Sequence, residues 1–155
     1  MISIEINNRL WSHRNLNSAT HGMLSNFLGG VSMPCLNHLL RMGTTSTVTT
    51  WPSPSASNDG TSQNVVELVN ANNLTHLKHI PIYFFSGSEN AVFTPESTDI
   101  SYTTLRNEYD EGQYERDVFD GFGHLDCWMG EKAADVIWPR IKQHMIKVGR
   151  RSLSV

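Results

Sequence analysis

The stretch that decides the fold is Gly121-Phe122-Gly123-His124-Leu125-Asp126-Cys127-Trp128. It follows residues 114–119, where Tyr, Arg and Val alternate with Glu, Asp and Phe, which suits a short, more exposed strand near a sheet edge. It precedes an apolar pattern at helical spacing over residues 134–148. A loop between a strand and a helix lies at the carboxyl edge of a parallel sheet, where α/β proteins bind ligands. The stretch therefore predicts an α/β fold with His124 at that edge.

A second strand and a helix are predicted upstream. Residues 80–85, Ile-Pro-Ile-Tyr-Phe-Phe, form a continuous apolar run that is typical of a strand buried in a parallel sheet. Thr94-Pro95-Glu96 begins a helix, because proline suits the first helical position and an acidic side chain favours the positive end of the dipole. Residues 80–149 are thus predicted to be β-α-β-α. Two strands make a poor sheet, so the free strand edge is expected to need a complementing chain or domain.

The first half of the chain has a different composition. Residues 1–43 contain two short helical patterns with no strand between them, which predicts a helical lid or cap piece. Residues 44–79 form a Ser/Thr/Pro-rich loop and linker with little to bury. Residues 150–155 are predicted to be a tail.

Composition excludes several classes of function. A net charge of -3 gives no electrostatic reason to expect a nucleic-acid partner. No apolar stretch approaches the ~20 residues that span a bilayer, and no secretory signal is present, which predicts an intracellular, cytoplasmic protein. Cys35 and Cys127 form no disulfide framework, and the seven histidines show no paired metal-ligand spacing, so no metal site is predicted.

His124 is predicted to be catalytic. An acidic candidate followed by a histidine is the order in which α/β-hydrolases present the last two members of their triad. Glu89 is the predicted acid, with its carboxylate expected within a few ångströms of the His124 ring at the carboxyl edge of the strands. Asn90 occupies about the place where most such hydrolases have Asp, but an amide stabilises an imidazolium poorly and that exchange costs a serine protease about 10⁴ in turnover.

Two further residues of the histidine loop have chemical potential. Asp126 is a supporting candidate that could cap the following helix, orient the His124 ring or coordinate water, and capping is favoured. Cys127 is expected to be buried as a small apolar side chain. The nucleophile is not found, because no Ser lies in a G-x-S-x-G turn. The predicted fold is therefore a partial α/β-hydrolase fold, with a helical lid piece, the last two parallel strands and the C-terminal helix, and with the nucleophile half absent.

Three blocks carry a resemblance to a known family: residues 10–21 with Leu-Trp-Ser-His-Arg-Asn-Leu-Asn, residues 80–98, and residues 114–128. Together they resemble the C-terminal α/β-hydrolase module of cholesterol-oxidase-like members of the glucose–methanol–choline (GMC) flavoprotein oxidoreductases. The resemblance implies a lipid or sterol-like substrate, and it favours Glu89 because the family often has an acidic residue there followed by Asn. It implies FAD only in an upstream domain, since this chain has no G-x-G-x-x-G after a strand.

Three hypotheses of function follow. The chain is the acid-and-histidine part of a hydrolase module, inactive alone, whose nucleophile lies upstream. Alternatively, it belongs to an FAD-dependent sterol or alcohol oxidoreductase in which the module is not catalytic. The third hypothesis is a degenerate module that serves as a scaffold, favoured by the missing nucleophile and the open strand edge.

Overall fold

The computed structural model describes residues 10–27, 30, 32–51, 53–54, 63–109 and 113–152. Residues 1–9 of the predicted lid and residues 153–155 of the predicted tail lie outside these ranges. The helices are a 3₁₀ turn at His13–Asn15, α1 (Ser18–Phe27), α2 (Met33–Thr45), α3 (Ala71–Leu74), a 3₁₀ turn at Thr75–Leu77, α4 (Pro95–Glu108), α5 (Asp126–Met129) and α6 (Ala133–Ser152). The strands are β1 (Ser53–Pro54), β2 (Gln63–Asn64), β3 (Ile82–Gly87) and β4 (Tyr114–Phe119).

Strands β3 and β4 form an open, parallel two-stranded sheet, as predicted. Their register pairs Ile82 with Tyr114 and Gly87 with Phe119, so both strands end at the same edge. Helix α4 connects them and begins at Pro95. The coarse prediction of helices around parallel strands is therefore confirmed.

The two long helices cover opposite faces of this sheet. Arg116 on β4 donates to the Pro95 carbonyl and the Thr98 hydroxyl of α4, at 2.8 and 3.1 Å. The next residue, Asp117, accepts from Arg140 of α6 at 2.9 Å. Successive side chains of a strand point to opposite faces, so α4 and α6 lie on either side. Helices on both faces of a parallel sheet are typical of α/β folds.

The apolar core lies between the sheet and α6. Its buried members are Phe119, Phe122, Cys127, Ala133 and Ile137, with Phe85 and Ile141 packed against them. The face predicted for α6 is only partly buried, since Trp138 and Met145 are 50% and 67% exposed. Pro139 lies inside α6, which is a single helix from Ala133 to Ser152.

The chain divides into two compact units. The first, here called the sheet unit, comprises Met1–Phe27 and His79–Val155, and the second, the linker unit, comprises Leu28–Lys78. Helix α2 belongs to the linker unit rather than with α1. Ser32 caps α2 by accepting from the Cys35 N–H at 3.3 Å, and Ser46 ends it with a φ of 53°. In the linker unit, every residue whose burial is described is half-buried or exposed.

Candidate functional site

The loops that follow β3 and β4 are joined by backbone hydrogen bonds. The Ser88 N–H donates to the Phe119 carbonyl and the Glu89 N–H to the Phe122 carbonyl, both at 2.9 Å. The loops approach closely at Gly87, where a Cβ would lie 2.0 Å from the Phe122 oxygen, so only glycine fits there. Gly121 adopts a φ of +74°, which glycine allows at no steric cost. The histidine loop is therefore anchored at the carboxyl edge of the sheet.

Asn90 is the residue that contacts the His124 ring. Its Nδ2 lies 3.2 Å from His124 Nδ1, and the Asn90 side chain is buried. Its Oδ1 accepts from the Val92 and Phe93 N–H groups, both at 3.0 Å. These two donors assign the amide: the oxygen faces the backbone, and the NH₂ group faces the ring.

This assignment determines the proton position on the imidazole. An amide NH₂ group only donates, so His124 Nδ1 must accept, and the proton of the neutral ring lies on Nε2. Burial lowers the His124 pKa, while the nearby Asp126 charge opposes this more weakly, so the neutral ring is favoured. The Phe93 ring, 5.3 Å from the imidazole centroid, covers one side of it. His124 is thus a neutral, oriented imidazole.

The predicted contact between Glu89 and His124 is not formed. The Glu89 carboxylate pairs instead with the Arg14 guanidinium, which also lies 3.4 Å from the Gly121 carbonyl. Both charged side chains are substantially exposed. The physical reason is the turn: Asn90 uses its oxygen to close the turn at Val92 and Phe93, which directs residue 90, not residue 89, to the ring.

Asp126 is fully buried and binds donors from two segments. Its carboxylate accepts from the Gly123 N–H at 2.9 Å, from the Ser12 N–H at 3.2 Å and from Asn15 Nδ2 at 2.5 Å. The favoured prediction of a helix cap is wrong, because Leu125 holds the cap position of α5 and Asp126 is the first helical residue. Asp126 instead attaches residues 12–15 to the histidine loop.

A cleft of about 290 Å³ lies beside His124. Its wall is mostly aromatic, with a few polar groups, and consists of Tyr83, Phe84, Phe85, Ser86, Asn90, Phe93, Thr98, His124, Cys127 and Trp128. An apolar cleft with a few oriented polar groups is typical of small-molecule sites, and this volume is at the lower end of their range. The arrangement suits an apolar ligand that presents one polar atom.

No described Ser or Cys is hydrogen-bonded to His124. Ser86 is buried, and its hydroxyl donates to the Gly87 carbonyl at 3.2 Å. The Cys127 thiol donates to the Gly123 carbonyl at 3.2 Å, and burial raises its pKa to about 11. A thiol with so high a pKa is a poor nucleophile at neutral pH. Burial of Cys127 as a small apolar side chain is confirmed.

No family model, curated protein or solved structure matches the chain. Within the described ranges, no group of three or more His, Cys, Asp or Glu side chains is arranged to hold a metal ion. Every helix in the part of the chain that the structure describes is too short or too polar to span a bilayer.

Proposed function

We propose that this chain is the histidine-bearing, C-terminal part of an α/β-hydrolase-like module. The module belongs to a cholesterol-oxidase-like protein that acts on lipid or sterol-like substrates, and the chain is inactive alone. The observation that supports the proposal best is the oriented, neutral His124 imidazole beside an aromatic cleft at the carboxyl edge of a parallel sheet. That edge is where α/β enzymes place catalytic groups.

The proton on Nε2 explains why the chain is expected to be inactive. A triad histidine takes the nucleophile's proton on Nε2, so its resting proton must lie on Nδ1, where a carboxylate accepts it. Asn90 imposes the opposite tautomer, because it donates to Nδ1. No described hydroxyl or thiol reaches the ring either. Catalysis then needs a nucleophile and a hydrogen-bond acceptor for Nδ1–H, both supplied from elsewhere in the module.

The aromatic wall supports the substrate class. Phe93, Phe85 and Trp128 offer flat apolar surface, which suits an acyl chain or a fused ring better than a charged metabolite. Asn90 and His124 are polar groups of the cleft wall that can contact an ester or hydroxyl in such a ligand. The proposed ligand is therefore largely apolar with one polar centre.

The Asn90–His124 hydrogen bond also favours a second candidate. A module that retains the loop but presents the wrong tautomer has the geometry expected of a non-catalytic scaffold. In that case the module belongs to an FAD-dependent sterol or alcohol oxidoreductase whose flavin is bound upstream, and the cleft handles substrate or packs against another domain.

Hydrolysis of short-chain aryl esters tests the inactivity of the chain. The purified chain and His124→Ala are compared against buffer, and we expect no difference among the three. Hydrolysis that is lost in His124→Ala would overturn the proposal, because it would require a nucleophile within these residues.

The 5′ sequence of the message tests the parent module. We expect coding sequence upstream with a G-x-S-x-G turn between a strand and a helix. An upstream sequence with a flavin-binding G-x-G-x-x-G but no nucleophile turn would instead favour the non-catalytic candidate. The absence of both from the complete message would overturn both candidates.

A further inference from the structure

Two histidines of the sheet unit face each other outside the His124 site. His13 Nδ1 and His21 Nε2 lie 3.1 Å apart, with ring centroids at 5.2 Å and ring planes at 35°. Both residues are exposed. Their separation of eight residues matches no metal-binding spacing, which is why the sequence predicted no metal site. The structure nevertheless brings their ring nitrogens together.

The backbone that presents the pair is held in place on both sides. The segment carrying His13 is attached to Asp126 through the Ser12 N–H and the Asn15 side chain. His21 lies in the first turn of α1, where its N–H donates to the Asn17 carbonyl at 2.9 Å. Asn17 Oδ1 also accepts from the Thr20 N–H at 2.8 Å. Because the backbone at both residues is held in place, only rotation of the two side chains is needed to turn the rings toward a common ion.

We propose that His13 and His21 bind a divalent transition-metal ion such as Zn²⁺, Ni²⁺ or Cu²⁺. Zinc–imidazole bonds of about 2.0–2.1 Å place two ligand nitrogens roughly 2.9 Å apart at a right angle and roughly 3.4 Å apart in a tetrahedron. The observed 3.1 Å falls between these limits. The pair is already spaced as two ligands of one ion.

The two neutral imidazoles can bind an ion without losing a proton, because the His21 proton can move to the other nitrogen of its own ring. The Trp11 indole N–H lies 3.4 Å from His13 Nδ1, so this nitrogen is an acceptor and the His21 Nε2–H donates to it. Metal binding moves the His21 proton from Nε2 to Nδ1 and displaces the Trp11 N–H from its 3.4 Å contact, so that both facing nitrogens present lone pairs. Two imidazoles suit borderline ions and do not suit Mg²⁺ or Ca²⁺, which need oxygen ligands. With two described protein ligands, solvent or an exogenous donor completes the coordination.

Histidine-selective NMR with Ni²⁺ as a paramagnetic probe tests the site. We expect the His13 and His21 ring signals to broaden at Ni²⁺ concentrations at least tenfold below those that affect His76 and His79, which serve as exposed controls. Zn²⁺ should restore the signals by competition, whereas Mg²⁺ should not.

Substitutions complete the test. His21→Ala and, separately, His13→Gln should each weaken Ni²⁺ binding at the remaining partner about tenfold or more, since chelation by a second ligand is lost. His76→Ala should leave the affinity unchanged. Equal broadening of all exposed histidines, or unchanged affinity in His21→Ala, would overturn the proposal.

Discussion

The sheet unit and the linker unit contain similar helical patterns but differ in burial. Ile137 of α6 is completely buried, whereas Leu36, Leu39 and Leu40 of α2 are 40–58% exposed. Helix α6 packs on a parallel sheet, whereas every linker-unit residue whose burial is described is half-buried or exposed. An amphipathic pattern therefore specifies a helix, but only a second layer with its own apolar face turns that helix into part of a core.

The largest expected difference between the units concerns Asp126. Asp126→Ala leaves three buried or half-buried donors without their acceptor and should lower the free energy of unfolding by at least about 3 kcal/mol. Glu67→Ala in the linker unit should change it by less than about 0.5 kcal/mol. Urea unfolding of both variants measures this, and equal effects would remove the contrast.

Apolar truncation should show the same contrast with a slightly smaller effect. Ile137→Ala leaves a cavity in a packed core and should cost about 2–5 kcal/mol. Leu39→Ala removes a half-exposed side chain and should change the free energy of unfolding by no more than about 0.5 kcal/mol. If Leu39→Ala lowers the free energy of unfolding as much as Ile137→Ala does in urea unfolding, Leu39 packs against a partner that its 50% exposure does not show.

Each unit contains one cysteine, so thiol reactivity reports on both in a single sample. Cys35 is exposed, whereas Cys127 is buried with its pKa raised to about 11. N-Ethylmaleimide should modify Cys35 at least about a hundredfold faster than Cys127, because the buried thiol reacts only after opening. Peptide mass spectrometry measures the two rates. In concentrated urea they should converge, and comparable rates without urea would contradict the burial of Cys127.

The elements of the sheet unit could be predicted from sequence because each has a local cause. The apolar run of β3, the proline that begins α4 and the glycine loop before α5 are all visible in neighbouring residues. The extent of burial was less predictable, as the exposed Ile100 and Met145 show. Those positions fit the helical period, but the two-stranded sheet is too narrow to cover them.

The hydrogen-bond and ion-pair partners of Glu89 and Asp126 could not be predicted, because these partners lie far away along the chain. Glu89 pairs with Arg14, which is 75 positions away, and Asp126 binds Ser12 and Asn15 across more than 100 positions. One signal was available: an Asn at the start of a turn commonly accepts from the backbone two or three residues later. That rule would have predicted that Asn90 turns inward and leaves Glu89 outside.

A pair of substitutions separates the roles of these two neighbours. Asn90→Asp places a carboxylate at His124 Nδ1 and should raise the pKa of His124 from below to above its ordinary value of about 6.5. Glu89→Gln removes a charge that is engaged with Arg14 and should leave the His124 titration unchanged. Imidazole NMR titrations measure both. A His124 pKa that responds to Glu89→Gln and not to Asn90→Asp would restore Glu89 as the partner acid.

The smallest expected effect is on stability between pH 5 and 8. Burial lowers the His124 pKa in the folded chain, so the unfolded chain takes up a proton first as the pH falls below about 6.5. The free energy of unfolding is then highest above this pH, declines below it, and levels off once the folded chain is also protonated. His124→Gln should remove this step, whereas His76→Ala should retain it.

In Asn90→Asp the raised His124 pKa reverses the sign of the step, since a protonated ring beside a carboxylate stabilises the fold at lower pH. Urea unfolding across this range therefore shows whether residue 90 sets the charge of the imidazole: a step of the same sign in Asn90→Asp as in the unmodified chain would mean that it does not.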